Sequence, residues 1–336
     1  FSSIYHLTDV PSLLTHIVDQ GKFLCIFDPM CKYVNDATPM DPGRMYDYEV
    51  LHSQFKDVFN CYLPGNFDVD DGTLFRIPLR TADMAEESNI SKHPVSTTEV
   101  DRMLHNLQLE LFDMLLFTSH LQQISISKVD QFGNLINTYT VTANIEEESR
   151  LQRERCFQLR KKAAEKLKNE KTIDELETFS AIYDITVRDT EFKEVVWRVV
   201  QRTGLNNAHV NQDILRAFDE GDLALIPSGG VASILEAKEK ASRYGCRKKK
   251  IFTTLPMPTE TELNVHVNGH FALGYENRRS VWTPGDTSSY KFEWNKLLCL
   301  EVIAPAYIEL LHSLKPVVPQ HDSKDIQKVK EVVESY

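Results

Sequence analysis

The sequence predicts an α+β chain, and three observations carry that prediction. Runs such as Thr73–Leu79 and Val265–Leu273 alternate side chains with the period of two that a pleated strand imposes. The run Glu99–His120 instead spaces its leucines for one helix face, through Leu104, Leu107, Leu111, Leu115 and Leu116. The two kinds of run are intermixed over 336 residues that are 42% hydrophobic, enough for about two domains of two layers, each with its own core.

From the N-terminus, Lys22–Phe27 reads as an apolar strand closed by Asp28-Pro29, and Pro39–Gly43 as a loop by its turn residues. Val50–Phe59 has helical spacing through Leu51, Phe55, Val58 and Phe59. In Thr73–Leu79 the side chains of Phe75, Ile77 and Leu79 share one face, and Pro78 places the end of the strand near a sheet edge. The polar bridge Ala85–Thr98 holds the expected domain boundary, near residue 95. It separates 1–95 from 96–315, and 316–336 forms a peripheral charged tail. Ser96 or Thr97 caps the helix that follows.

Gln122–Lys128 and Leu135–Ile145 form a hairpin around Gly133-Asn134. Residues 146–178 carry nine acidic and nine basic side chains and read as a solvated helix laced by ion pairs. Phe179–Arg188 and Glu194–Arg202 form an antiparallel pair, and Asp222–Pro227 and Lys250–Leu255 are further strands. Tyr290–Leu314 is a long helical segment that Pro305 must kink or divide.

The formal net charge of −11 opposes general nucleic-acid binding, which needs a basic face. Six scattered cysteines without a C-x-x-C pair indicate a reducing, cytoplasmic setting, and no apolar run approaches the ~20 residues of a membrane helix. His266 and His270 fall on one strand face with no third ligand type nearby, which favours a packed or solvent-facing pair over a zinc site, and no metal set is expected. Ser228-Gly229-Gly230 is either an anion nest or a tight turn. The basic cluster Arg247–Lys250 reads as a gatekeeper that protects the adjacent strand from aggregation.

The chemistry concentrates in Leu263–Trp282, LNVHVNGHFALGYENRRSVW. Its alternating run is broken at Gly274 and Asn277, just before Arg278 and Arg279. Two guanidiniums presented beyond a strand end suit bidentate capture of a phosphate or carboxylate, or form a surface ion-pair cluster.

This stretch, together with Phe1–Asp9 (FSSIYHLTD), Gly72–Arg80 (GTLFRIPLR) and Trp294–Leu311 (WNKLLCLEVIAPAYIELL), resembles the internal repeat of the sacsin family, very large proteins whose repeats contain a chaperone-like ATPase region. The four segments span nearly the whole chain. The resemblance implies an incomplete GHKL (Bergerat-type) α/β sandwich, its C-terminal half lying in 1–95, followed by a middle coupling α/β domain with mixed sheets and a long C-terminal helical segment.

Within the resemblance, Phe1, Ser2 and Ser3 correspond to the end of a glycine box whose helix N-terminus holds nucleotide phosphates. Gly72-Thr73 is similar to the late G-T step, in which the Thr73 hydroxyl backs up the adenine-reading aspartate. Arg278 or Arg279 is implied as the contact to the terminal phosphate. The magnesium-binding and adenine-reading residues are not recognisable in this segment, so no cofactor is expected here, and ATP and Mg belong to the intact protein. The segment alone is expected to be inactive as an ATPase. The implied function is that of a chaperone or co-chaperone module, coupling upstream nucleotide binding to client proteins and other chaperones, without nucleic acid or membrane insertion. An interaction scaffold with a decayed ATPase is the alternative, and a MutL-like DNA-transaction ATPase is disfavoured by the acidic balance.

Overall fold

The computed structural model describes residues 2–67, 70, 72–170, 176–191, 193–205, 210–237, 248–274, 281 and 289–314. Contacts divide the chain into a first unit, Phe1–Asn106 with Gly133–Leu135, and a second, Leu107–Phe132 with Ile136–Tyr336. Helices and mixed sheets make it an α+β protein.

In the first unit, β1 (Ser12–Ile17), β2 (Gly21–Phe27), β3 (Gly43–Asp47) and β4 (Thr73–Arg76) form an antiparallel sheet ordered β3-β2-β1-β4. Its register explains its core. Leu14 lies opposite both Leu24 and Leu74, and Leu24 opposite Tyr46, so one apolar row crosses all four strands. Phe59 and Tyr62, from the 3-10 helix Lys56–Tyr62, pack against that row. The predicted Val50–Phe59 helix is two pieces, because α1 (Tyr48–Gln54), capped by the Asp47 side chain, gives way at Phe55 to the 3-10 turn. The reverse face carries Met45, Cys25, Leu13 and Phe75 in register, and there Met45 is 64% and Phe75 54% exposed.

One departure from the sequence reading lies in the polar bridge, and another at the end of the helix that follows it. The bridge contains a short helix, α2 (Ala82–Glu87), which buries only Ala85 and so leaves no periodic signal. Then α3 (Thr97–Met114) starts from a capping box: Ser96 Oγ accepts from the Glu99 amide at 3.2 Å, and Glu99 Oε2 accepts from the Ser96 amide at 2.8 Å. That backbone donor, aided by His93, holds the Glu99 carboxyl down at about 2. The helix ends at Met114 rather than His120, while Leu115 and Leu116 bury in the turn beyond it.

The second unit is built on an eight-stranded sheet. Its strands are β5 (Gln123–Val129), β6 (Leu135–Asn144), β7 (Phe179–Asp189), β8 (Glu194–Thr203), β9 (Ser228–Ala237), β10 (Lys249–Thr253), β11 (Leu255–Thr261) and β12 (His266–Gly269). The order is β11-β10-β12-β9-β8-β7-β6-β5, and β10 runs parallel to β12.

Alternation sends Tyr183, Ile185, Trp197, Val199, Ala232 and Phe252 to one face, against α4 (Glu147–Glu170) and the end of α3. Val200, Val231 and Val267 point the other way, toward α5 (Gln212–Glu220), α6 (Tyr290–Leu298) and α7 (Ala304–Leu314). This unit therefore has three layers, not the two expected. Its α4 is also more than a solvated helix, because Arg153, Cys156, Arg160, Ala163 and Leu167 recur at helical spacing and are buried.

Several strand readings are corrected for tertiary reasons. Asp222–Pro227 is not a strand: it follows the left-handed Gly221 cap of α5 and is tied back by Leu223 N to Ala217 O. Ser228-Gly229-Gly230 is neither nest nor turn but the start of β9. A Cβ at Gly230 would stand 2.2 Å from Val200 O, and one at Gly229 2.7 Å from Asn268 O, so the glycines let β9 run between β8 and β12. The predicted Val265–Leu273 strand shrinks to β12, which is buried on both faces. Since β10 lies between β11 and β12, it needs no gatekeeper. Lys249 is 7% exposed with its ammonium 5.3 Å from the Trp197 ring centroid, and Lys250 pairs with Glu110, while Arg247 lies outside the described residues.

Pro305 neither ends nor divides the last helix. A π turn at Cys299–Ile303 lets Ala304 N reach Cys299 O, five residues back, and the chain continues through α7. By length and hydropathy Tyr290–Leu314 could cross a membrane. Its buried stripe of Trp294, Leu298, Val302, Ala306 and Leu310 belongs to the core cluster that includes Val200 and Val231 of the sheet.

Candidate functional site

The residues that resemble a nucleotide edge fall in the first unit. Ser3 is exposed on the 3-10 helix Ser2–His6, and Phe1 and the Ser2 side chain lie outside the described residues. Thr73 opens β4, exposed, paired with Thr15 and sharing a hydroxyl–hydroxyl hydrogen bond of 2.8 Å with it.

The structure joins the two segments through a residue the sequence reading did not single out. Arg80, at the end of GTLFRIPLR, is wholly buried. Its Nε donates to Asp9 Oδ1 at 2.7 Å, its Nη2 to Tyr5 O at 2.7 Å, and its remaining protons to the carbonyls of His6, Thr8 and His93. Asp9 ends FSSIYHLTD, so the guanidinium closes one segment onto the other. All five donors of the fork find acceptors, which makes burial of the charge tolerable, whereas deleting either partner of such a pair costs about 3–5 kcal/mol.

A second clasp operates in the other unit. Trp294 Nε1 donates to His270 O at 2.9 Å. Asn295, 1% exposed, accepts from Ala272 N at 2.7 Å and donates from Nδ2 to both Ala272 O and Val281 O at 2.9 Å. Ala272 and Val281 flank the segment containing Arg278 and Arg279. Those two arginines lie outside the described residues, but both ends of their segment are pinned to one asparagine on α6. The signals for these clasps were present in the sequence: one arginine closing an alternating run, and one amide inside an apolar helical stripe.

Beneath β12 the polar side chains are structural. Buried His266 accepts from Lys250 N at Nδ1 over 3.0 Å, its Nε2 lies 3.7 Å from Asp113 Oδ1, and it packs among Trp197 and Phe252. Burial, reinforced by Lys249, drives its pKa down to about 3, and burial with the nearby Arg160 charge drives His270 to about 4. Both imidazoles are neutral at physiological pH. Among the described residues no three His, Cys, Asp or Glu side chains converge as a metal set.

Residues 1–139 match the family model described as the Sacsin domain. Human Sacsin is 34% identical over 319 residues, an alignment that covers 94% of this chain and 7% of the relative. The chain belongs to the sacsin family. It is a sacsin-type repeat, similar to a small part of a much longer protein, and the four segments that carry the resemblance meet pairwise in the two clasps. Arg80 and Asp9 close the first pair, and Trp294 and Asn295 the second.

Proposed function

We propose that this sacsin-type repeat is a coupling module of a chaperone or co-chaperone, in which nucleotide bound with an upstream segment is sensed through Arg278 or Arg279 and changes how client or partner proteins are held. The observation that supports this reading best is the Asn295 clasp. It fixes Ala272 and Val281, the described residues on either side of the two arginines, to one buried side chain, and an arginine that contacts a terminal phosphate requires fixed anchors of this kind. The reading makes the module cytoplasmic, with ATP and Mg held mainly by residues beyond this segment.

The test is calorimetric titration of Mg-ATP into a chain extended upstream and into the same chain carrying Arg278→Ala or Arg279→Ala. Saturable heat that one of the two substitutions weakens at least about tenfold supports coupling through that arginine, since a charge-assisted hydrogen bond contributes about 1.5–3 kcal/mol. An extended chain that takes up no nucleotide favours the alternative, a scaffold with a decayed ATPase.

A further inference from the structure

Between α4 and the sheet lies a second concentration of charge. Arg153 and Arg160 are 8% and 9% exposed, and among the described residues neither has a carboxylate in salt-bridge range. Arg160 Nη2 donates to Ser119 Oγ at 2.8 Å, yet its Nε has no acceptor, and Arg153 Nη2 has none either. Gln201 Oε1, on a strand facing α4, is also buried without a hydrogen-bond partner, and the Tyr183 hydroxyl lies against Arg153 without a hydrogen bond of ordinary geometry. Burial and the neighbouring Arg160 lower the Arg153 pKa, while the Tyr183 phenol is pushed upward by burial. Uncompensated guanidiniums in an interior are costly, and two side by side more so.

Arg153 lines a pocket of about 280 Å³ that also takes in Ser119, His120, Gln122, Asn144 and Arg150. Each of these can donate a hydrogen bond. The Ser119 hydroxyl accepts from Arg160 and keeps its own proton for a ligand. The one carboxylate on the rim, Glu154, is held by Gln158 Nε2 at 2.6 Å, and Arg150 is paired with Glu147. Arg153 with a free Nη2 on the lining, Arg160 behind Ser119 and a ring of donors favour an anion.

We propose that this pocket binds a phosphoryl dianion, held by Arg153 and the Ser119 hydroxyl, with Arg160 fixing that hydroxyl from behind. A phosphate group carries close to two negative charges at neutral pH and three acceptor oxygens, matching both the charge and the donor surplus. Free phosphate and the phosphate of a modified side chain share this chemistry, and the probe separates the two.

The experiment measures urea midpoints of the full chain by tryptophan fluorescence, with calorimetry, in inorganic phosphate and in a short phosphoserine peptide, against sodium chloride of equal ionic strength. Saturable binding with a raised midpoint is expected. Arg153→Met should weaken it about ten- to a hundredfold while leaving the phosphate-free chain at least as stable, because a buried unpaired charge is removed. Glu154→Gln should tighten it, an effect that damage to the fold does not mimic. Stronger binding of the peptide would assign the pocket to phosphorylated protein, and equal or stronger binding of inorganic phosphate to the free ion. The proposal is overturned if phosphate shifts the midpoint no more than chloride does, or if neither substitution changes the affinity.

Discussion

The two sheets of this chain are stabilised in different ways. The four-stranded sheet of the first unit buries one apolar row, centred on Leu14 and Leu24, under Phe59 and Tyr62 of the 3-10 helix, and leaves Met45 and Phe75 half or more exposed on its reverse face. What closes that unit is a polar clasp, Arg80 on Asp9 and four backbone carbonyls. The eight-stranded sheet is covered by helices on both faces and carries two extensive apolar clusters, so its clasp at Asn295 ties Ala272 and Val281 to a core that already holds. Burial stabilises the second unit cooperatively, whereas the first depends on one charge pair in one geometry.

The described tryptophans, Trp197 and Trp294, are buried in the second unit, so their fluorescence reports on it while circular dichroism reports on both. Trp294→Ala should have the largest effect, about 3–5 kcal/mol off the fluorescence-detected urea transition, since it empties a fully buried site. Arg80→Met should cost about as much but in the first unit, leaving Asp9 buried and unpaired. Hydrogen exchange should rise through β1, β2 and β4 while the tryptophan transition keeps its midpoint, and a large shift of that midpoint would erase the contrast between the units.

Acid should weaken the second unit through its histidines. Because His266 and His270 have folded pKa values near 3 and 4, the unfolded chain binds their protons first. Their contribution is whole above about pH 6.5 and declines as the pH falls toward those values, by at most about 1.4 kcal/mol per pH unit for each proton. His266→Gln should flatten the dependence of the urea midpoint on pH in that window. The smallest effect expected is that of Ser96→Ala, which removes one side of the capping box and should cost about 1 kcal/mol, read as faster exchange in the first turn of α3.

Much of this architecture was legible in the sequence where the signal is local. The antiparallel pair β7 and β8 alternates cleanly, and the capping residue of α3 and the Gly133 turn declare themselves. What escaped is set by distant contacts. The glycines of β9 look like a turn until Val200 O and Asn268 O are beside them. The two prolines of LPMPTET argue against a strand, yet β11 sits at the sheet edge, where a missing donor is tolerated. The candidate site divides the same way: Arg278 and Arg279 stand out as a pair, while Arg80 and Asn295 show locally only as polar residues at the end of an alternating run and inside an apolar stripe, and what they hold depends on carbonyls up to 75 residues away.

Hydrogen exchange of the whole chain, resolved by mass spectrometry to individual strands under native conditions, tests the contrast most directly. Amides of β7, β8 and β9 should exchange only through global opening of their unit, and those of β1, β2 and β4 through a distinctly smaller opening free energy. Equal protection of the two sheets would contradict the account.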